Sequence, residues 1–160
     1  MHYRRLIPAA LLIGALGLAS SALAGGAPRT GARTASATAT VSVRTTKYGQ
    51  ILIDSKGDTL YLWAKDKRDK TVCSDACENV WPLVLVTGKP TAGPGVSASM
   101  LGTIAVSDSS KQREPTYGGH PLYRYTPDVK PGDIRGQGNT TFGAPWWLVS
   151  PAGHAITKKG

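Results

Sequence analysis

Hydrophobic and polar residues alternate over short stretches of this chain, as they do in β-strands, and no stretch of ten or more residues has the period of an amphipathic helix. In "YGQILIDSKGDTLYLWAKD", residues 48–66, two such stretches flank the turn-forming residues 55–58. Leucines alternate with aromatic residues in the second stretch, so both faces of that strand are apolar. We expect a hairpin whose second strand is covered on both sides.

The rest of the chain continues this pattern, with loops rich in glycine and proline between short apolar segments. The predicted elements are a helical turn at 75–80, strands at 83–86, 101–108 and 146–150, a second hairpin at 114–128 that turns at Gly118 and Gly119, and a last short strand at 154–156. The fold class that this predicts is mainly β: a single compact antiparallel β domain of two related hairpin-containing repeat units, with a short helical turn at the cysteine pair.

The N-terminus has the composition of an export signal. Arg4 and Arg5 precede an apolar run at 6–18, and Ala-Leu-Ala at 22–24 fits a cleavage site, so we expect the mature chain to begin near Gly25. A retained anchor helix is the alternative. The predicted organisation is a signal peptide at 1–24, a disordered spacer at 25–40 and a secreted β-repeat domain at 41–160. The expected location is secreted, periplasmic or cell-envelope in a bacterium, soluble after cleavage.

The charge balance is basic, with 19 Lys and Arg against 10 Asp and Glu. Removal of the signal would leave a surplus of seven positive charges, which favours anionic envelope components as partners, although such a surplus also occurs in proteins without one. No basic run is dense enough to indicate nucleic-acid binding. No apolar stretch after the signal approaches the length of a membrane span.

Cys73 and Cys77, in "CSDAC", are the two cysteines of the chain. An even count in an exported protein predicts a disulfide, and closing so small a loop would contribute roughly 2 kcal/mol. The alternatives are a redox-active pair, or metal binding together with the two histidines of the mature chain, His120 and His154. No metal-ligand spacing supports the latter, so we expect no metal and no cofactor.

One phrase occurs twice, as "GDTLYLWAKD" from Gly57 and as "GHPLYRYTPD" from Gly119, and suggests two related supersecondary units. We expect the two aromatic side chains of each copy to stack two residues apart on one strand face. Each aspartate follows the strand end, where it can accept hydrogen bonds from loop N–H groups or a tyrosine hydroxyl. The candidate site residues, structural or binding, are Tyr61, Trp63, Asp66, Tyr123, Tyr125 and Asp128.

The double phrase resembles the bacterial family known as secreted repeat of unknown function, or predicted lipoproteins with a Yx(F/W/Y)xxD motif. The two motif copies match it, as do four further elements in order: Cys73…Cys77…Trp81-Pro82, Gly136-Gln137-Gly138, Trp147 and Ser150-Pro151. The resemblance covers about residues 43–156. It implies a bacterial envelope or secreted protein and supplies no activity. Family members are often lipoproteins, whereas this chain lacks a lipid-bearing cysteine at the cleavage point.

Catalytic interpretations of the motif are weaker than structural ones. Asp66 and Asp128 could form a glycosidase carboxylate pair, but such pairs need different environments and repeats give similar ones. The motif aromatics, with Trp146 or Trp147, could line a stacking surface for sugars or a planar cofactor, and the alternative is core packing. We therefore expect no catalytic residues and a non-catalytic binding or scaffold module; the alternative is a redox or electron-transfer accessory that binds haem or metal non-covalently.

Overall fold

The structure of the protein is a computed structural model that describes residues 40–106 and 109–158. The predicted signal peptide and residues 25–39 of the predicted spacer lie outside the described residues. The described ranges contain the strands β1 Val41–Thr46, β2 Gly49–Asp54, β3 Tyr61–Trp63, β4 Val86–Thr87, β5 Leu101–Val106, β6 Ser109–Tyr117, β7 His120–Pro121, β8 Trp146–Val149 and β9 Ala155–Ile156, the helix α1 Ala76–Val80, and 3-10 helices at Ala98–Met100 and Thr141–Gly143. The prediction of a mainly β fold with a short helical turn is confirmed.

All strand pairs in the sheets are antiparallel, as predicted. β1 pairs with β2 in a separate hairpin, and β3, β8 and β9 form a sheet in that order. The other sheet has the order β4, β6, β5, with β7 paired to β6. The hairpins β1–β2 and β5–β6 each precede one copy of the repeated phrase, so they are the corresponding parts of two repeats.

The two repeats meet at their motif tyrosines. The backbone N–H of Tyr61 donates to the carbonyl of Tyr123 at 2.9 Å, and the N–H of Tyr123 donates to the carbonyl of Tyr61 at 3.0 Å. Such a reciprocal pair is what a local two-fold relation between the repeats produces. Each copy of the phrase therefore occupies an equivalent place on opposite sides of one junction.

Each motif strand also bonds to the hairpin of its own repeat. Leu60 N–H donates to the carbonyl of Leu52 at 3.1 Å in the first repeat, and Leu122 N–H donates to the carbonyl of Pro115 at 3.2 Å in the second. Leu52 and Pro115 are therefore structural counterparts, although the donor and acceptor residues are one residue closer in sequence in the second repeat.

The difference in length lies in the turns. The second hairpin turns through Gly118 and Gly119, whose φ angles of 60° and 86° suit a two-residue turn that glycine adopts without strain. The first repeat has a longer loop between β2 and β3. Leu52 and Pro115 accept the equivalent hydrogen bonds of the two repeats. The residues one position earlier, Ile51 and Glu114, therefore correspond to each other, and both side chains are fully buried.

Some segments differ from the predicted elements. The predicted strand at 83–86 is wrong: Leu83 forms an isolated bridge with Tyr123, and the strand proper is only Val86–Thr87. Leu83 bridges Tyr123, and the N–H of Val84 donates to the carbonyl of Leu122. Because these two residues bond to the motif strand of the second repeat, they cannot also pair with β6. The hairpin predicted at 48–66 is also wrong: β2 pairs with β1, a strand that was not predicted, and β3 pairs with β8. An isolated bridge between Ile53 and Thr59 joins β2 to the chain before β3.

The core consists of two clusters on opposite faces of the motif strands. Tyr61 and Trp63 of β3 lie in the first cluster, while Leu60 and Leu62 lie in the second. This confirms that the strand is covered on both sides. Among the described residues, no helix has the length and apolar character needed to cross a membrane.

Candidate functional site

The motif side chains lie in the interior of the domain. Tyr61 and Tyr123 are fully buried, Trp63 is 2% exposed, and Tyr125 is half-buried at the edge of the first cluster. The strand positions that hold them alternate between the two core clusters, so the fold directs the aromatic residues of the motif inward. They leave little ring surface for a ligand.

Each motif tyrosine donates its hydroxyl to the aspartate of the other repeat. The Tyr61 hydroxyl donates to Asp128 Oδ2 at 2.6 Å, and the Tyr123 hydroxyl donates to Asp66 Oδ2 at 2.6 Å. The motif is therefore completed across the junction rather than within one copy. We refer to these two reciprocal contacts as the Tyr–Asp clamps.

The second oxygen of each carboxylate holds the loop that follows it. Asp66 Oδ1 accepts from the N–H of Val72 at 2.8 Å, and Asp128 Oδ1 accepts from the N–H of Arg135 at 2.8 Å. The two aspartates thus have matching partners, one tyrosine hydroxyl and one backbone N–H each. This symmetry differs from a glycosidase pair, whose two carboxyl groups require unlike environments.

The tyrosine hydroxyls also have a second partner each. The Tyr61 oxygen accepts from Gly136 N–H at 3.2 Å, and the Tyr123 hydroxyl contacts the Thr71 hydroxyl. A Cβ atom at position 136 would lie 2.7 Å from the Trp81 ring and 2.9 Å from the Tyr61 ring, so only glycine permits this approach. Gly136, one of the residues that carry the family resemblance, is therefore needed for backbone contact with the motif.

The electrostatics of the clamps keep the tyrosines protonated. The pKa of Tyr61 is raised mainly by burial and secondly by the hydrogen bond to Asp128. The pKa of Tyr123 is raised mainly by burial and secondly by the nearby carboxylates. Burial also raises the pKa of Asp66 and Asp128, opposed by the tyrosine and backbone donors. The hydroxyls therefore act as fixed donors, and both oxygens of each aspartate already accept hydrogen bonds from the protein.

Four rings form a continuous column through the first core cluster. Trp63 stacks on Trp146 with centroids 4.8 Å apart, Trp146 on Trp81 at 3.9 Å, and Trp81 on Tyr125 at 4.1 Å. The expected stacking of two aromatics along one strand is wrong, because successive rings of the column belong to different elements. The third motif position of each repeat caps one end of the column.

The indole nitrogens of the column are satisfied within the protein. Trp63 Nε1 donates to the carbonyl of Ala144 at 3.1 Å, and Trp81 and Trp146 donate to the hydroxyl and the carbonyl of Thr141 at 3.1 and 3.0 Å. The tryptophans of the column therefore pack as core residues, and the rings that a haem or sugar would need for stacking already stack on one another.

The cysteines and histidines lie in separate places. Cys73 and Cys77 form a disulfide with Cα atoms 5.4 Å apart at helix α1, which confirms the predicted disulfide. His120 and His154 line a cleft formed by the turn before β7 and the turn before β9. The described ranges contain no group of three or more His, Cys, Asp or Glu side chains placed to hold a metal ion.

That cleft, which we call the basic cleft, has a volume of about 580 Å³. Arg68, Asp69, His120 and His154 line it, and Arg68 points largely into solvent with 79% of its side chain exposed. Its Nε lies 3.7 Å from the Asp69 carboxylate, which is itself half exposed. Burial, followed by the neighbouring His154 and Arg68, lowers the pKa of His120 below its ordinary value.

Sequence reasoning did not single out two of the residues that line cavities. Arg68 lies in the stretch of charged residues 65–70 and gives no signal beyond its charge. Glu114 is fully buried in β6, where residues 114–117 are all buried, and its mostly polar sequence neighbours give no signal of that burial.

The comparisons with known proteins agree with the two-repeat architecture. Residues 42–85 and 102–150 match a family model described as secreted repeat of unknown function, and the two matches begin in β1 and β5. Together they cover more than half of the chain. Neither the search of curated proteins nor the search of solved structures finds a match for this chain.

Proposed function

We propose that this chain, which belongs to the family of secreted repeats of unknown function, is a non-catalytic module of the cell envelope that binds an anionic polymer in its basic cleft. The observation that carries the proposal is the cleft itself, about 580 Å³ in volume and lined by Arg68, His120 and His154. The family description gives the secreted character, and the binding role is our proposal.

The geometry of the repeated motif favours a role without catalysis. Both oxygens of Asp66 and of Asp128 accept hydrogen bonds from the protein, and both motif tyrosines are buried donors. General acid–base work needs a group that reaches the substrate. The polar groups of the motif instead bond to each other between the two repeats, so a binding partner would contact other residues at the surface.

The charge of the cleft favours an anionic partner. Removal of the predicted signal leaves a surplus of seven positive charges, and among the described residues the Arg68 guanidinium at the rim has the exposed Asp69 carboxylate and the Gly118 carbonyl, at 3.2 Å, as partners. An exposed guanidinium offers several donors in a planar fork, which suits phosphate and carboxylate oxygens. His120 adds a charge when it is protonated, so binding should strengthen as the pH falls through and below its lowered pKa.

A binding isotherm with poly(glycerol phosphate) tests this proposal, with neutral dextran as the control polymer. The pair Arg68→Ala and His154→Ala should weaken binding at least about tenfold, because it removes the rim donors. The matched pair Lys56→Ala and Lys130→Ala removes exposed positive charge outside the cleft and should change affinity less than about threefold. Equal losses in both pairs, or no binding by the parent, would contradict the proposal.

A further inference from the structure

Glu114 is the most unusual buried residue of the described chain. Its side chain is fully buried in β6, and neither carboxyl oxygen has a hydrogen-bond partner among the described residues. A buried polar group without a partner costs about 1–3 kcal/mol, and more when it is charged. Its counterpart in the first repeat, Ile51, shows that the same place in this fold accepts an aliphatic side chain without that cost.

Glu114 is one of the residues that line a pocket of about 390 Å³ between β6 and the disulfide segment. The other polar residues of the pocket include Glu78, Thr71 and Ser74, while Leu83 contributes an apolar wall. Glu78 and Ser74 are exposed whereas Glu114 is fully buried, so one acidic residue lies at the rim of the pocket and the other is closed off from solvent beside it. No Lys, Arg or His among the described residues lines it.

We propose that this pocket binds a primary ammonium group carried on a short aliphatic chain, with Glu114 as the counter-ion at its inner end. The donors of an ammonium group match the carboxyl groups of Glu78 and Glu114 and the hydroxyl of Ser74. The Thr71 hydroxyl already bonds to Tyr123 and to the N–H of Cys73. The apolar wall would cover the aliphatic carbons. This site is separate from the basic cleft, shares no residue with it and does not depend on the proposed polymer binding.

A metal ion fits the pocket less well than an organic cation. Divalent ions of the calcium type take six to eight oxygen ligands, and the nearby Asp66 carboxylate is already occupied by Tyr123 and Val72. The described residues include no cluster of three acidic, His or Cys side chains suited to a metal. The volume of about 390 Å³ lies in the range of small-molecule sites, roughly 300–1,000 Å³.

Binding of an ammonium ion should release a proton. Burial, with the nearby carboxylates of Asp66 and Glu78, raises the pKa of Glu114 to about 9, so the group is neutral at pH 7 in the empty pocket. Tyr123 also lies within its field and stays protonated. A bound cation favours the carboxylate form, so affinity should increase as the pH rises from 6 toward about 9.

Isothermal titration of the secreted chain with n-butylammonium tests the proposal. We expect saturable binding, with up to one proton released per ligand at pH 7 when buffers of different ionisation enthalpy are compared. Glu114→Gln should weaken binding at least tenfold and abolish the proton release. Glu114→Ile, which copies Ile51 of the first repeat and therefore should fold, should remove binding altogether.

Two further titrations provide a control variant and distinguish a peptide-borne amine from a free amine. Asp58→Asn removes one carboxylate outside the pocket and should leave affinity within about twofold. If Nα-acetyl-lysine methylamide binds as n-butylammonium does, the natural ligand is a side chain of a peptide; if only the free amine binds, it is a small diffusible amine. A Kd above about 10 mM for n-butylammonium, tighter binding of Ca²⁺, or binding that survives both Glu114 variants would overturn the proposal.

Discussion

The two repeats place the same tyrosine in two different settings. Tyr61 and Tyr123 lie in the same core cluster as Ile51, and Tyr123 in addition lies within the field of Glu114, which occupies the position that corresponds to Ile51. The Tyr–Asp clamps and the backbone N–H contacts of the two aspartates are matched in the two halves. The first repeat shows what the fold requires at this place, and the second shows a carboxyl group that the fold does not require.

The segments that follow the motif differ as well. In the first repeat the Cys73–Cys77 disulfide closes the segment. In the second, Gln137 does so with one side chain: its Oε1 accepts from the N–H of Leu148 at 2.8 Å, and its Nε2 donates to the carbonyl of Ile156. The disulfide thus closes a loop within the first segment, whereas Gln137 ties the second segment to β8 and β9.

The largest expected effect comes from the two ends of the ring column. Trp63→Ala should lower the free energy of unfolding by about 3–5 kcal/mol, because it removes a buried ring that stacks on Trp146. Tyr125→Ala at the equivalent position should cost less, since Tyr125 is half-buried. Urea denaturation measures both, with Val129→Ala, which is 75% exposed, as the control. Equal losses at the two ends would contradict the burial that separates them.

The second-largest expected change in stability comes from replacing Glu114 with the residue that occupies the corresponding position in the first repeat, Ile51. Glu114→Ile should raise the free energy of unfolding by about 1–3 kcal/mol at pH 5, because an unpaired buried carboxyl group is removed. The pKa of Glu114 is raised from 4.5 to about 9 in the folded state, so its contribution to stability is present below pH 4.5 and is lost as the pH rises toward 9. The advantage of the variant should therefore grow over that window.

Thermal and urea melts of the parent and Glu114→Ile between pH 5 and 9 check this. Raised pKa values of Asp66 and Asp128 act in the same direction but are common to both proteins, so the difference between the two curves reports Glu114. A difference that stays constant with pH, or a variant less stable than the parent, would show that Glu114 has a partner in solution.

The smallest effect distinguishes contacts across the junction from contacts within one repeat. A double-mutant cycle of Tyr61→Phe with Asp128→Asn should give a coupling energy of about 1 kcal/mol, since these side chains share a hydrogen bond. The cycle of Tyr61→Phe with Asp66→Asn, within one copy of the motif, should be additive to within about 0.5 kcal/mol. The reverse result would place the clamps inside each repeat.

The sequence predicted the antiparallel β class, the disulfide and the presence of two repeats, because these depend on local alternation, export and repetition, but it paired β2 with β3 instead of with β1. It did not predict that Tyr61 bonds to Asp128 of the other repeat rather than to Asp66 of its own. The local sequence around the tyrosine is the same whichever aspartate accepts its hydrogen bond. Glu114 was not singled out because polar residues occupy most of β6, SSKQREPTY. Its equivalence to Ile51 also depends on the shorter second hairpin, since a constant spacing of 62 aligns Glu114 with Leu52. The register became visible only through the hydrogen bonds of Leu60 and Leu122.

The exchange of partners in the Tyr–Asp clamps has a consequence for how such a chain arises. A single repeat contains a tyrosine without its carboxylate and a carboxylate without its tyrosine, and two identical copies related by a two-fold axis satisfy each other, as in an isologous dimer. Gene duplication followed by fusion turns that dimer into one polypeptide without changing a contact. Once the halves are tied together, they are free to diverge, as Ile51 and Glu114 have, because symmetry no longer forces a substitution to appear on both sides.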